Sequence, residues 1–310
     1  MLRLIIDTDA GHDDLMAIAY LLTQPTVVIE AITIANGLAE VESGARNILK
    51  LLTRVRKNEI PVFVGDPKPL AGTHAFPRSW RRLANELPRV NLPEVPLCPG
   101  QIPAVDFLKH HLSQPSAKFH LLTLGPLTNV ARAIIEQPSI VQNIEQITMM
   151  GGVFKVPGNV FDFEEFKSPS DRVEWNFFVD PLATKTVLES GLKLFIIPLD
   201  ATNQVRLDLL FLETFRQRQH SPLGQVVGEI LEGVRHFIED KFYYAWDPLA
   251  AMTLVDETVV RTRNVFVQVN LTPPHTGQTR ITSSGQFRTK VALNANRQKF
   301  IDNFINAFSK

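Results

Sequence analysis

Apolar positions along the chain fall into two alternating rhythms. Short aliphatic runs that stop abruptly at turn residues predict buried strands over residues 2–6, 26–35, 61–64, 119–124, 144–150 and 192–199. Between them, apolar residues predict helices over 15–20, 40–54, 104–112, 126–135, 181–189, 224–238 and 247–254. In the 224–238 stretch Val227, Ile230, Leu231, Val234 and Ile238 keep helical spacing. Three β-like runs around Phe266, Thr279 and Val291 follow, with a closing helix over 298–308. This alternation predicts an α/β fold: a Rossmann-like, open, mostly parallel sheet with flanking helices and right-handed crossovers.

Two segments break the pattern. Residues 67–100 lose all periodicity and carry prolines at 67, 69, 77, 88, 93, 96 and 99, and residues 153–173 are irregular, acidic and aromatic. Long aperiodic segments of this kind are read as functional loops. With no repeat, low-complexity tract or separating linker, the expectation is one domain over residues 1–310 with two large active-site loops. The 32 basic and 32 acidic side chains cancel, which gives no reason to expect a nucleic-acid or membrane partner. The single cysteine, Cys98, excludes an internal disulfide and a thiolate metal cluster. The N-terminal apolar run is too short for a signal peptide and no stretch reaches membrane length, so a cytoplasmic protein is expected.

Chemistry concentrates where the first strand ends, in Asp7-Thr8-Asp9-Ala10-Gly11-His12-Asp13-Asp14. A strand, a glycine-containing turn and a helix place these acids at the carboxyl end of a strand, where open α/β sheets bind ligands. Carboxylates this close repel unless protons or a cation neutralise them. Oxygen donors alone point to a hard ion, Ca²⁺ or Mg²⁺. A helix-capping acidic turn would account for Asp13 and Asp14, but less well for Asp7 and Asp9. Other strand ends carry Asn36, the stretch Leu124-Gly125-Pro126-Leu127-Thr128-Asn129, and, beyond Met150, Asn159. Alternation in Glu174-Trp175-Asn176 predicts Glu174 and Asn176 on one side of an extended chain. Grouped carboxylates and amides suit a polyhydroxylated ligand. Asp247, before Pro248, reads by itself as a helix N-cap.

Taken in order, the Asp7–Asp14 motif, Leu124–Asn129, Met150-Gly151-Gly152, Glu174-Trp175-Asn176 and Trp246-Asp247-Pro248 span the chain. As a series they resemble the nucleoside hydrolases, the N-ribohydrolases of the inosine–uridine-preferring superfamily. The resemblance implies the nucleoside hydrolase fold and a Ca²⁺ held by Asp9, Asp14, the Leu124 carbonyl and Asp247. It implies that Asp13, Asn159, Glu174 and Asn176 hold the ribose, with Asn36 and Met150 as further substrate contacts. Asp9 would deprotonate the attacking water while C1′ becomes oxocarbenium-like. It also implies a small-molecule nucleoside substrate and a homodimer or homotetramer.

Pyrimidine-accepting members place a histidine before the last metal aspartate; here Trp246 stands there. The purine-specific branch carries tryptophan at that position and another in a Phe-Pro-x-x-Trp-Arg stretch, matched by Phe76-Pro77-Arg78-Ser79-Trp80-Arg81. Trp246 and Trp80 would then sandwich a purine and stabilise its protonated, departing form. Ala10 replaces the usual proline, which a turn should tolerate, and Asn36-Gly37 reverses the usual Gly-Asn order. The expected activity is Ca²⁺-dependent hydrolysis of purine ribonucleosides to base and ribose. Alternatives are a broad-specificity ribonucleoside hydrolase and a non-catalytic nucleoside or ribose binder. An aspartate-nucleophile phosphatase would want Thr or Val where Gly11 stands. A dinucleotide enzyme would want Gly-x-Gly-x-x-Gly after the first strand.

Overall fold

The computed structural model describes residues 1–96, 99–114, 118–160 and 172–309. Cys98 and residues 161–171 of the second aperiodic segment lie outside them. The opening aliphatic run forms β1 (Leu2–Thr8). The apolar runs that follow form β2 (Val27–Ile34), β3 (Val62–Val64), β4 (Phe119–Thr123), β5 (Ile144–Met150) and β6 (Leu194–Ile197). The tail supplies β7 (Val260–Val269), β8 (Thr279–Thr282) and β9 (Arg288–Ala295). All pair into one sheet in the order β3-β2-β1-β4-β5-β6-β9-β7-β8. Strands β1 to β6 and β9 are parallel, whereas β7 runs antiparallel to β9 and β8. Leu4 and Ile6 enter one apolar layer and Ile5 the other. Burial on both faces is why these strands are aliphatic throughout rather than alternating.

The first helices are α1 (His12–Leu22), α2 (Val41–Arg54), α3 (Arg78–Glu86), α4 (Ala104–Leu112), α5 (Thr128–Glu136), α6 (Trp175–Val179) and α7 (Pro181–Leu188). They are followed by α8 (Leu199–Thr202), α9 (Leu209–Arg218), α10 (Pro222–Gly233), α11 (Arg235–Glu239), α12 (Trp246–Thr253) and α13 (Arg297–Phe308). Side chains of α1, α2, α9, α10, α12 and α13 fill one layer, and those of α4, α5 and α7 the other. No described helix is long and apolar enough to cross a membrane.

Three elements depart from the sequence pattern for identifiable reasons. Within the aperiodic stretch, α3 buries only Ala84, so no apolar stripe marks it. Helix α9 turns Phe211, Leu212 and Phe215 inward and starts with Asp208 accepting the Phe211 N–H. Its remaining residues face outward, and this helix was not expected from the sequence. The helix expected over 224–238 is broken at Val234, between α10 and α11, where a Cβ on Gly233 would lie 2.9 Å from the Pro88 carbonyl oxygen.

The strand order reverses direction between β1 and β4, a topological switch point whose crevice opens at their carboxyl ends. The two strand ends approach so closely that a Cβ on Gly125 would lie 2.8 Å from Asp9 Cβ. Only glycine fits there. Phe304, 1% exposed, anchors α13 among the rings of Tyr20, Phe215, Phe300 and Phe308. Phe304→Ala is expected to cost about 3–5 kcal/mol of unfolding free energy, the loss of a fully buried ring plus its cavity. Urea denaturation measures it, and a change below about 1 kcal/mol would contradict this packing.

Candidate active site

Each acid of the site is delivered by the end of a strand or the start of a helix. Asp9 follows β1, Asp13 and Asp14 occupy the first turn of α1, Asp247 lies in the first turn of α12, and Glu174 caps α6. Helix starts attract negative charge because their backbone N–H groups are unpaired. Helices α1 and α12 pack together, which brings residues 13, 14 and 247 into one place. One oxygen from each of Asp13, Asp14 and Asp247 lies within 4.8 Å of the others. Asp14 is also within hydrogen-bonding reach of both Asp9 and Asp247.

Local hydrogen bonds fix the cluster. Asp14 accepts from the Thr8 hydroxyl and, at 2.9 Å, from the Gly11 N–H. Asp9 Oδ2 accepts from the Leu38 N–H at 2.6 Å. Behind them Asp7 Oδ1 takes the Asn129 amide at 2.8 Å and the Thr33 hydroxyl at 2.5 Å, which ties β1 to β2 and α5. Ala10, between Asp9 and Gly11, has φ 56°. A proline ring, held near about −65°, cannot adopt that value. Alanine is thus accommodated in this turn, as expected, at a backbone conformation that proline could not adopt.

Burial sets the electrostatics. It raises Asp9 and Asp247 well above the ordinary carboxylate range, reinforced by Asp14 in each case. Asp13 is pushed to about 8 by burial and by Asp14, and Asp7 and Glu174 each to about 7, chiefly by burial. Asp14 is raised by burial too. Among the described residues, no lysine or arginine lines this cavity to offset the charge. Carboxylates with a nearby main-chain carbonyl, and no soft donor among them, are the donor set of a hard divalent cation. The residues therefore fit such an ion, with Asp9, Asp14, Asp247 and the Leu124 carbonyl available from the expected set and Asp13 beside them.

The acids line a cavity whose open space, mouth included, is about 790 Å³. Among its lining residues the acids gather in one group and the rings of Trp80, Phe237, Phe242 and Trp246 in another, the aromatic end; Phe76, Leu124, Met150, Asn159, Glu174 and Asn176 line it as well. Thus every candidate from the sequence lines the cavity except Asn36. The Asn36 side chain instead accepts a hydrogen bond from Arg81 at 3.2 Å, so the expectation of a substrate contact is not matched by its placement.

Glu174 and Asn176 meet the cavity for a different reason from the extended alternation expected. Glu174 Oε1 accepts the Asn176 N–H at 2.8 Å, and Oε2 accepts those of Gly152 at 2.8 Å and Phe177 at 3.2 Å. Asn176, in the first turn of α6, donates to the carbonyls of Leu124 at 2.9 Å and Met150 at 3.2 Å, joining the ends of β4 and β5. Asn159 accepts from the Trp175 N–H at 3.2 Å. Asp247 is not an N-cap; Ala245 occupies that position.

The aromatic end goes beyond two indoles. Phe242 stands 6.3 Å from Trp80 and 6.4 Å from Trp246, ring centre to ring centre, and Phe237 lies edge-on to Trp80 at 6.4 Å. Tyr243 and His12, both 4% exposed, also line the cavity, and burial lowers the His12 pKa to about 4. Sequence reasoning passed over Phe237, Phe242 and Tyr243. The only available signal was the run Phe242-Tyr243-Tyr244-Ala245-Trp246 before Asp247.

Comparison with known proteins agrees with this geometry. The chain is 28% identical over 314 residues to the pyrimidine-specific ribonucleoside hydrolase RihA of Klebsiella pneumoniae, covering 97% of this chain and 96% of that one. The crystal structure of inosine-uridine preferring nucleoside hydrolase from Bacillus anthracis superposes with a TM-score of 0.87 at 27% identity, over 100% of this chain and 99% of that one. A purine-preferring ribonucleoside hydrolase from Gardnerella vaginalis gives 0.85 at 25% identity, over 99% and 98%. The family model for inosine-uridine preferring nucleoside hydrolase matches residues 4–302. With the motif series, the sheet and the acid-lined crevice in agreement, the chain belongs to the inosine-uridine preferring nucleoside hydrolase family and is an N-glycosyl hydrolase of ribonucleosides.

Proposed function

We propose that this hydrolase cleaves purine ribonucleosides to free base and ribose and depends on Ca²⁺. The observation that carries the proposal is the start of α12. Successive residues there point about 100° apart around the helix axis, so Asp247 joins the acid cluster while Trp246 lines the aromatic end. A ligand spanning the cavity would meet carboxylates with its sugar and indoles with its base.

Asp9, Asp14, Asp247 and the Leu124 carbonyl would hold the cation. When bound, Ca²⁺ supplies a positive charge that orients the sugar diol and the attacking water and lowers that water's pKa. Asp13, Asn159, Glu174 and Asn176 orient the ribose. Asp9, its Oδ2 steadied by the Leu38 N–H, takes the proton as water oxygen bonds to C1′. The C1′–N bond breaks with its electron pair going to the base, and the carboxylates stabilise positive charge developing on the sugar. Tryptophan donates no proton to the leaving nitrogen, so the base leaves with a proton from solvent. Stacking on Trp246 and Trp80 favours that protonated ring. The name of the Gardnerella relative supports a purine. The RihA relatives are named pyrimidine-specific, which makes uridine and cytidine the necessary controls.

Hydrolysis of inosine, guanosine and adenosine is expected to exceed that of uridine and cytidine by at least about tenfold in kcat/KM, and to be lost in chelator. Equal rates on inosine and uridine would overturn the purine assignment. Trp246→Ala is expected to lower kcat on inosine by about 10- to 100-fold, and far less on a nitrophenyl riboside, whose leaving group needs no proton. Equal losses on both would remove the stacking role.

The raised carboxyl groups also predict how stability depends on pH. Because the folded protein holds protons more tightly than the unfolded chain, whose carboxyls titrate near about 4, it binds more protons across the window between. Stability in chelator therefore falls as pH rises from about 4 through 7–8, where Glu174 and Asp13 ionise. Added Ca²⁺ should abolish that fall. Melting temperatures at pH 5 and pH 8.5, with chelator and with Ca²⁺, measure it; a rise with pH in chelator would contradict the cluster.

A further inference from the structure

The connection between β2 and α2 touches the acid cluster on one side and α3 on the other. On the acid side, the Leu38 N–H donates to Asp9 Oδ2 at 2.6 Å and the Ala39 N–H to the Asp9 carbonyl at 2.9 Å. Gly37 passes so near that a Cβ on it would lie 2.1 Å from Asp9 Oδ2. The Asp9 carboxylate is therefore confined by this connection. Any displacement of residues 36–39 is transmitted to it.

On the other side, α3 is fastened to the same connection and to the helix it begins. Arg81 donates to Asn36 Oδ1 at 3.2 Å, and the Glu40 N–H donates to Asn85 Oδ1 at 2.9 Å. The buried Asn47 amide, on α2, donates to the carbonyls of Ala84 at 2.9 Å and Asn85 at 3.2 Å. Trp80 precedes Arg81 on α3 and, with Leu38, packs against the cluster formed by Phe76, Trp175 and neighbouring apolar residues. Leu38 thus contributes its N–H to Asp9 and its side chain to the same apolar cluster on which Trp80 packs.

We propose that Arg81 is a positioning residue for both ends of the cavity. Its hydrogen bond to Asn36 seats α3, and so Trp80, against the connection that fixes the Asp9 carboxylate. The proposal rests on the roles given above to Asp9 and Trp80. It differs from a simple lid in one measurable respect. A helix that only covers the base would affect substrate affinity, whereas a helix seated on the Asp9 connection also affects the chemical step. A misplacement of the order of 1 Å at a reacting group costs about 10- to 100-fold in rate.

Steady-state kinetics of the full chain on inosine test this with Arg81→Ala, Asn36→Ala, the double variant and Arg81→Lys. Circular dichroism and melting temperature monitor the fold, and Asn36→Ala removes the contact without altering α3. Each single alanine variant is expected to lower kcat about tenfold or more. The double variant should be no slower than the worse single, because the two residues act through one contact. Arg81→Lys, which keeps a donor, should recover most of the loss. Unchanged kcat with a raised KM alone, or multiplied losses in the double variant, would overturn the proposal. A wild-type protein that cleaves no nucleoside would instead overturn the reading of the site on which it rests.

Discussion

Like charges buried together dominate this molecule. Asp9, Asp14, Asp247 and Glu174 are each at most 3% exposed, and Asp13 is beside them. Removing a carboxylate from water costs several kcal/mol even after the protein relaxes. The helix starts that hold these acids return only about 0.3–1 kcal/mol each. Without a cationic side chain among the described lining residues, the balance closes only with protons or a bound cation. That imbalance gives the cluster the donor set of a divalent-ion site.

Much of the surrounding architecture brings about that confinement. The switch point between β1 and β4 opens the crevice, Gly125 lets the two strand ends meet, and Asn176 bonds the Leu124 carbonyl just past β4 and the last carbonyl of β5. Further back, Asp7 receives side chains from β2 and α5 and holds the strand ends in register. These polar contacts lie in a layer otherwise made of aliphatic side chains, where a hydrogen bond is worth most and an unmade one costs most.

The cavity joins two chemistries by using helix starts as branching points. Trp246 and Asp247 are neighbours in sequence, yet one joins the rings and the other the acids. Trp80 reaches the aromatic end from α3, whose contacts run to the same connection that holds Asp9. The aromatic group and the acid cluster are thus linked through one connection, although they come from chain segments about forty residues apart or more.

The sequence by itself determined the parallel sheet, because strands buried on both faces must be aliphatic throughout and stop where polar turns begin. It also pointed to the acid motif at the end of β1, since a helix-capping turn accounts less well for Asp7, near the end of that strand, and Asp9, just beyond it. Helix α3 was illegible: its docking depends on Asn36, Glu40 and Asn47 rather than on an apolar stripe of its own. The positive φ of Ala10, the capping role of Glu174 and the engagement of Asn36 by Arg81 were decided only in three dimensions. The meeting of Asp247 with Asp14, separated by most of the chain, was implied by the family resemblance alone and is brought about by the packing of α1 on α12. Periodicity reports what an element buries against its own layer; it is silent about side chains whose partners arrive from elsewhere, and the active site is built mainly from those.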